Sequence, residues 1–153
     1  MKPRFENWEI LFEQWLRKAM QQAFVWGEFD CGLMAADCVV ALTGYDPASD
    51  LRGTYSDGDG AVDALNRALG MVKYDGPEFG AFEAFCTERL GELCHPDDAR
   101  KGDIVLGLFN SPHGVINSLM VDCDETYLVM AGNQRAIKMH KDGITAVSAW
   151  RVG

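Results

Sequence analysis

The spacing of apolar residues changes character at Gly102-Asp103, and that change constrains the fold of the chain more than any other feature. Before it, large apolar side chains recur three and four residues apart, as in helices that bury one face. After it, short apolar runs are divided by turn formers, as in strands joined by hairpins. Helices gathered in one half and strands in the other predict an α+β domain rather than an alternating α/β one.

Trp8, Leu11, Phe12, Trp15, Leu16, Ala19, Met20 and Ala23 predict a first helix over 8–24, broken at Trp26-Gly27. Asp30 is placed to cap a second helix that carries Leu33, Met34, Ala36, Val40 and Ala41 and ends at Thr43-Gly44, glycine suiting the left-handed position after a helix. Turn formers dominate 45–60, which predicts a loop. Helical spacing returns over 61–69, closing at Gly70, and again over 79–90. Strands are predicted over 104–109, 115–121, 127–131, 136–140 and 144–152, and their short separators suggest an antiparallel meander.

A length of 153 residues and 48% hydrophobic content suit a single domain, 1–153, with one core. No apolar run approaches the ~20 residues that cross a bilayer, and the segment 1–18 is amphipathic and charged rather than a secretory signal. No membrane partner is expected, and synthesis is expected in the cytoplasm. The net charge of −9 argues against a nucleic-acid partner, which would draw on clustered Lys and Arg. Five cysteines, an odd number without a CxxC pair, suggest neither a disulfide framework nor a zinc ribbon. Asp57-Gly58-Asp59-Gly60 lacks the ligand run and bidentate glutamate of a calcium loop, so no metal is expected, and no cofactor.

Asp30-Cys31 is the chemically suggestive pair. A carboxylate cap followed by a thiol in the first helical turn places sulfur among unpaired N–H groups at the positive end of the helix dipole, which favours thiolate. The alternative is a buried cysteine acting as a small apolar side chain. A nucleophilic thiol needs a base and a group to orient it, and the candidate bases are His95, His113 and His140, each also open to being a solvated loop residue. Arg52 is suited to tying down the acidic loop by paired hydrogen bonds, and Trp8, Trp15, Trp26 and Trp150 to core packing or to stacking on sugar rings.

The run Phe24-Val25-Trp26-Gly27-Glu28-Phe29-Asp30-Cys31-Gly32-Leu33, followed by Lys101-Gly102-Asp103-Ile104-Val105, resembles the NlpC-like cell-wall cysteine peptidases, a compact branch of the papain-like fold. Thr43-Gly44-Tyr45-Asp46-Pro47, Arg52-Gly53-Thr54-Tyr55 and Ala149-Trp150-Arg151-Val152 are similar to the phage-encoded, tail-tip-associated branch of that superfamily. The resemblance spans Trp8 to Val152. It implies a Cys-bearing helix packed on a small antiparallel sheet, with Cys31 as nucleophile, His113 as base, Asn133 or Ala131 at the third position with His140 as a substitute, and Asp30, Trp26 and Gly27 in support. Implied partners are phage tail hub or tip proteins, with peptidoglycan stem peptides as substrate if the chain is active, and the implied location is the virion tail tip. Two departures stand against the enzyme: Phe24 replaces a common tyrosine, and Pro112-His113-Gly114-Val115 departs from the usual His-Val-Gly-Ile. The other function the resemblance allows is a catalytically degenerate structural or assembly component of the tail tip. Asn133 is equally suited to a turn in Gly132-Asn133-Gln134.

Overall fold

The computed structural model describes residues 2–70 and 78–153. Four helices, α1 (Trp8–Ala19), α2 (Cys31–Thr43), α3 (Gly58–Ala68) and α4 (Glu78–Leu90), precede six strands: β1 (Leu93–Cys94), β2 (Ile104–Ser111), β3 (Gly114–Asp122), β4 (Tyr127–Met130), β5 (Ile137–His140) and β6 (Thr145–Trp150). The class is α+β, and every strand pairing is antiparallel.

Helix α1 buries Phe12, Trp15, Leu16 and Ala19 on one stripe, but it stops five residues short of the end its apolar spacing predicts. The backbone groups that would continue it are committed elsewhere: the Ala19 carbonyl accepts from Ala136 N–H, and Phe24 N–H donates to the Asn133 carbonyl. Helix α2 is buried nearly all round, from Leu33 to Thr43, because it packs on α1 on one side and on β3 on the other. Asp30 caps it through Leu33 N–H at 2.9 Å, and Gly44 closes it with φ +74°. Helix α3 begins at Gly58, inside the stretch predicted as loop, because the Asp57 carboxylate accepts Gly60 N–H at 2.7 Å and caps a turn that the glycines alone would not favour.

The strand order is β1-β6-β2-β3-β4-β5. Strands β2 to β5 form the expected meander, but β6 returns to the free side of β2, with a register shift at Leu106/Gly107. The buried carboxylate of Asp103 draws it there. Asp103 is fully buried and accepts from Arg4, Arg151, Arg100 N–H and Val152 N–H at 2.9 to 3.1 Å, so both ends of the described chain converge on one residue. Strand β1, two residues long, is too short to carry a periodic signal and pairs with the end of β6.

One sheet face, with Ile104, Leu106, Leu119, Val121, Val129 and Trp150, joins α1 and α2 in the main core. The other carries a smaller cluster around Val105, Met120, Leu128, Met130 and Ala149. Helix α4 is clipped to β6 by Trp150 Nε1 donating to Thr87 Oγ1 at 3.1 Å.

Candidate functional site

The approach to α2 is shaped by Gly27. Its φ is +80°, and a Cβ at this position would collide with the Tyr55 carbonyl, so the Trp26-Gly27 turn requires glycine. Gly27 N–H then points at Asp30 Oδ2 (3.1 Å), while its carbonyl accepts from Gly53 N–H. Asp30, 2% exposed, takes two further donors, Leu33 N–H on Oδ1 and the Tyr55 hydroxyl on Oδ2 at 2.6 Å. All three donors are neutral. The carboxylate is therefore well solvated by the protein, and its negative charge stays local.

Cys31 follows as the first residue of α2 and is half-buried. Its sulfur meets β3, hydrogen-bonded with Leu119 N–H and the Ser118 hydroxyl, and with Gly32 N–H from its own turn. Burial pushes the thiol up, the Asp30 carboxylate pushes it further, and the three hydrogen bonds offset only part of this. The thiolate recipe read from the sequence is therefore opposed: the cap and the helix-start N–H groups are present, but burial first, and then the capping charge beside the sulfur, work against ionisation.

Beside the thiol is an apolar cavity of about 60 Å³, lined by Cys31, Leu65, Phe82, Phe85, Cys86 and Leu119 among others. It is smaller than the ~150 Å³ that admits benzene. Trp26 also lines it while 39% exposed, and meets Phe24 edge to face at 4.8 Å. The Cys86 thiol is pushed up by burial first and then by Cys31.

The proposed bases are elsewhere. His113 is the second residue of the exposed two-residue turn between β2 and β3, its N–H held by Ser111 Oγ at 3.1 Å. It precedes Ser118 by five residues of strand, about 17 Å at the rise of extended chain. The structure thus places Cys31 against Ser118 and Leu119 and leaves His113 at the far tip of the hairpin. Asn133 is exposed in the β4–β5 connection and serves through its carbonyl rather than its amide. His95 and His140 cap short 3₁₀ turns, accepting Asp97 N–H and Asp142 N–H on Nδ1. Ala131 is buried in the main core.

Three site residues were missed in the sequence: Ser118, Tyr55 and Cys86. Ser118 and Leu119 follow from counting the β2–β3 ladder, which needs the hairpin register. Tyr55 sits in one of the segments that carry the family resemblance, yet nothing local couples it to Asp30. Arg52 does tie the acidic loop, forking onto Asp46 at 2.8 and 3.2 Å and reaching Asp37 of α2 at 2.8 Å. Burial works against Asp46 ionisation, but the Arg52 hydrogen bond and Ala48 N–H hold its carboxyl below the usual range.

All five cysteines are free thiols. Among the described residues no group of His, Cys, Asp and Glu is arranged to hold a metal ion, and no helix is long and apolar enough to cross a membrane. No curated protein and no solved structure matches the chain. A family model described as a domain of unknown function does match, over residues 3–152, and the chain accordingly belongs to the DUF6950 family.

Proposed function

We propose that this protein is an NlpC-like, papain-like-fold component of a phage tail tip that acts by association with tail hub or tip proteins rather than by peptide hydrolysis. The observation that carries the non-hydrolytic reading is the set of groups around Cys31: a serine hydroxyl, two backbone N–H groups and a carboxylate, with no imidazole. A thiol attacks an amide carbonyl only after a base has taken its proton, and here burial and Asp30 oppose that ionisation. The Asp-Cys start of a buried helix, its packing on β3 and the Gly102-Asp103 opening of the sheet support the NlpC-like assignment. A fold keeps its architecture after its chemistry is lost.

The alternative, a stem-peptide endopeptidase using Cys31, His113 and Asn133, requires the hairpin tip to travel to the thiol. Two measurements separate the readings. Purified protein incubated with peptidoglycan sacculi is expected to release no new amino termini, and Cys31 is expected to alkylate slowly at neutral pH, at a rate indifferent to His113→Ala. Release of stem peptides that is abolished by both Cys31→Ala and His113→Ala would overturn the non-hydrolytic reading. For the tail, a phage carrying Cys31→Ala is expected to assemble infectious particles, whereas deletion of the gene leaves tails incomplete. Particles of normal composition without this protein would remove the tail assignment.

A further inference from the structure

The β2–β3 hairpin extends past its neighbours on both sides. Strand β6 pairs with β2 only as far as Leu108, and β4 pairs with β3 only at Val121 and Asp122. The outer part of β3 is therefore an open edge. Val115 is 68% exposed and Ile116 41%. Residues 104–121 contain no Asp, Glu, Lys or Arg, although 24% of the chain is charged and its net charge is −9. The usual protections of an exposed edge, an inward charge, a lysine, a proline or a bulge, are all missing from residues 114–121 of β3.

The ladder parity shows what this edge offers. Asp122 exchanges backbone hydrogen bonds with the β2 side, donating to the Asp103 carbonyl and accepting from Gly102 N–H. In an antiparallel pair such residues alternate with those whose N–H and C=O point away. Val121, Leu119, Asn117 and Val115 thus face the other edge. Val121 is paired with Val129 of β4, and Leu119 N–H is taken by the Cys31 sulfur. Val115 and Asn117 have no backbone partner on that edge among the described residues. A projecting two-stranded ribbon is marginal in water until a third strand joins it.

We propose that the third strand is β3 of a second copy of this chain, paired antiparallel about a two-fold axis centred on Ile116. In that register Val115 of each copy faces Asn117 of the other, so both outward-facing residues exchange N–H and C=O with their counterparts. Ile116 meets its own image in the close, non-hydrogen-bonded position, where β-branched side chains pack well. The edge is self-complementary because an isologous contact repeats each residue pair across the axis, and with no ionised side chain in residues 114–121 no like charges are brought together. Cys31 ends the ladder by holding Leu119. The paired segment is short, well below the ~1,200 Å² of a stable interface, so the dimer is weak and concentration-dependent. Salt strengthens it, because screening relieves the repulsion between two acidic bodies while leaving backbone pairing intact.

Sedimentation of the full chain from about 10 µM to about 1 mM, at low and at moderate salt, tests this. The expected result is a monomer–dimer equilibrium shifted to dimer at higher salt, with amide exchange at Val115 and Asn117 slowed in the concentrated sample. Val115→Lys, at a position already open to solvent, is expected to abolish the dimer. Ile10→Lys, an equally exposed apolar residue on α1 (60%), is expected to leave it unchanged. A monomer throughout, a dimer weakened by salt, or a dimer that survives Val115→Lys with unaltered exchange at Val115 and Asn117 would each overturn the proposal.

Discussion

Asp30 and Asp103 are both buried carboxylates, each gathering donors from distant parts of the chain, yet they do opposite things to their surroundings. Asp103 is answered by the guanidinium groups of Arg4 and Arg151, whose own side chains are 15% and 24% exposed. Charge is matched there, and the result is a clamp. Asp30 is answered only by neutral donors, Gly27 N–H, Leu33 N–H and the Tyr55 hydroxyl. Its uncompensated charge acts on the two ionisable groups beside it, the Tyr55 hydroxyl and the Cys31 thiol, and adds to the burial that opposes ionisation of both. A buried carboxylate thus fixes geometry in both places, but a thiol beside one answered only by neutral donors meets that charge in addition to its own burial.

The largest test of this contrast is Asp103→Ala. Removing one member of a buried charge cluster strands Arg4 and Arg151, and a loss of about 3–5 kcal/mol is expected in urea denaturation. Asp30→Asn should cost less, about 2 kcal/mol, since an asparagine oxygen still caps Leu33 N–H while the amide nitrogen in place of Oδ2 leaves Gly27 N–H without its acceptor; similar losses for the two variants would erase the distinction. Between them lies Gly27→Ala, expected to cost about 3 kcal/mol because positive φ and the Tyr55 carbonyl both exclude a side chain. Tyr55→Phe removes one donor from a charged acceptor, with an expected loss of about 1.5 kcal/mol.

The electrostatic half of the contrast is sharper in chemistry than in stability. Asp30→Asn is expected to move the pH profile of Cys31 alkylation to lower pH; a profile that does not move would show that burial alone silences the thiol. Alkaline pH tests the burial cause. Cys31, Cys38, Cys86 and Tyr55 all hold their protons more tightly folded than unfolded. Their contribution is intact below the unfolded thiol value of about 9 and is lost as pH rises above it, so Tm should fall from about pH 9 upward. Cys86→Ala is expected to flatten that slope. The smallest effect is on the acid side: the Arg52–Asp46 pair, about a third exposed, stabilises above the ordinary Asp range and fades as pH falls below it, by less than about 1 kcal/mol.

Helix α2 was legible to within a residue because its signals are local: a capping carboxylate, an apolar run and a terminal glycine in the left-handed conformation. The β2–β3 hairpin was legible for the same reason. The end of α1 was not, since it is set by hydrogen bonds to Ala136 and Asn133, more than a hundred residues away. The path of β6 was equally hidden, because a strand of its composition can close a meander on either edge and the buried Asp103 chooses. At the site, the sequence located Asp30 and Cys31 but not the surroundings that raise the thiol. A helix-start thiol reads as activated when only its own backbone is considered. Its burial, and the charge its cap retains, depend on what packs around them.

What the amino-acid sequence determined by itself is the division into helices and strands, the capped helix start at Asp30 and the glycine turn before it, all products of interactions within a few residues. What only the tertiary structure decided is which side chain meets the sulfur. Strand register advances in steps of about 3.3 Å per residue, so the difference between His113 and Ser118 beside Cys31 is a matter of where two distant elements dock, and no local pattern encodes that.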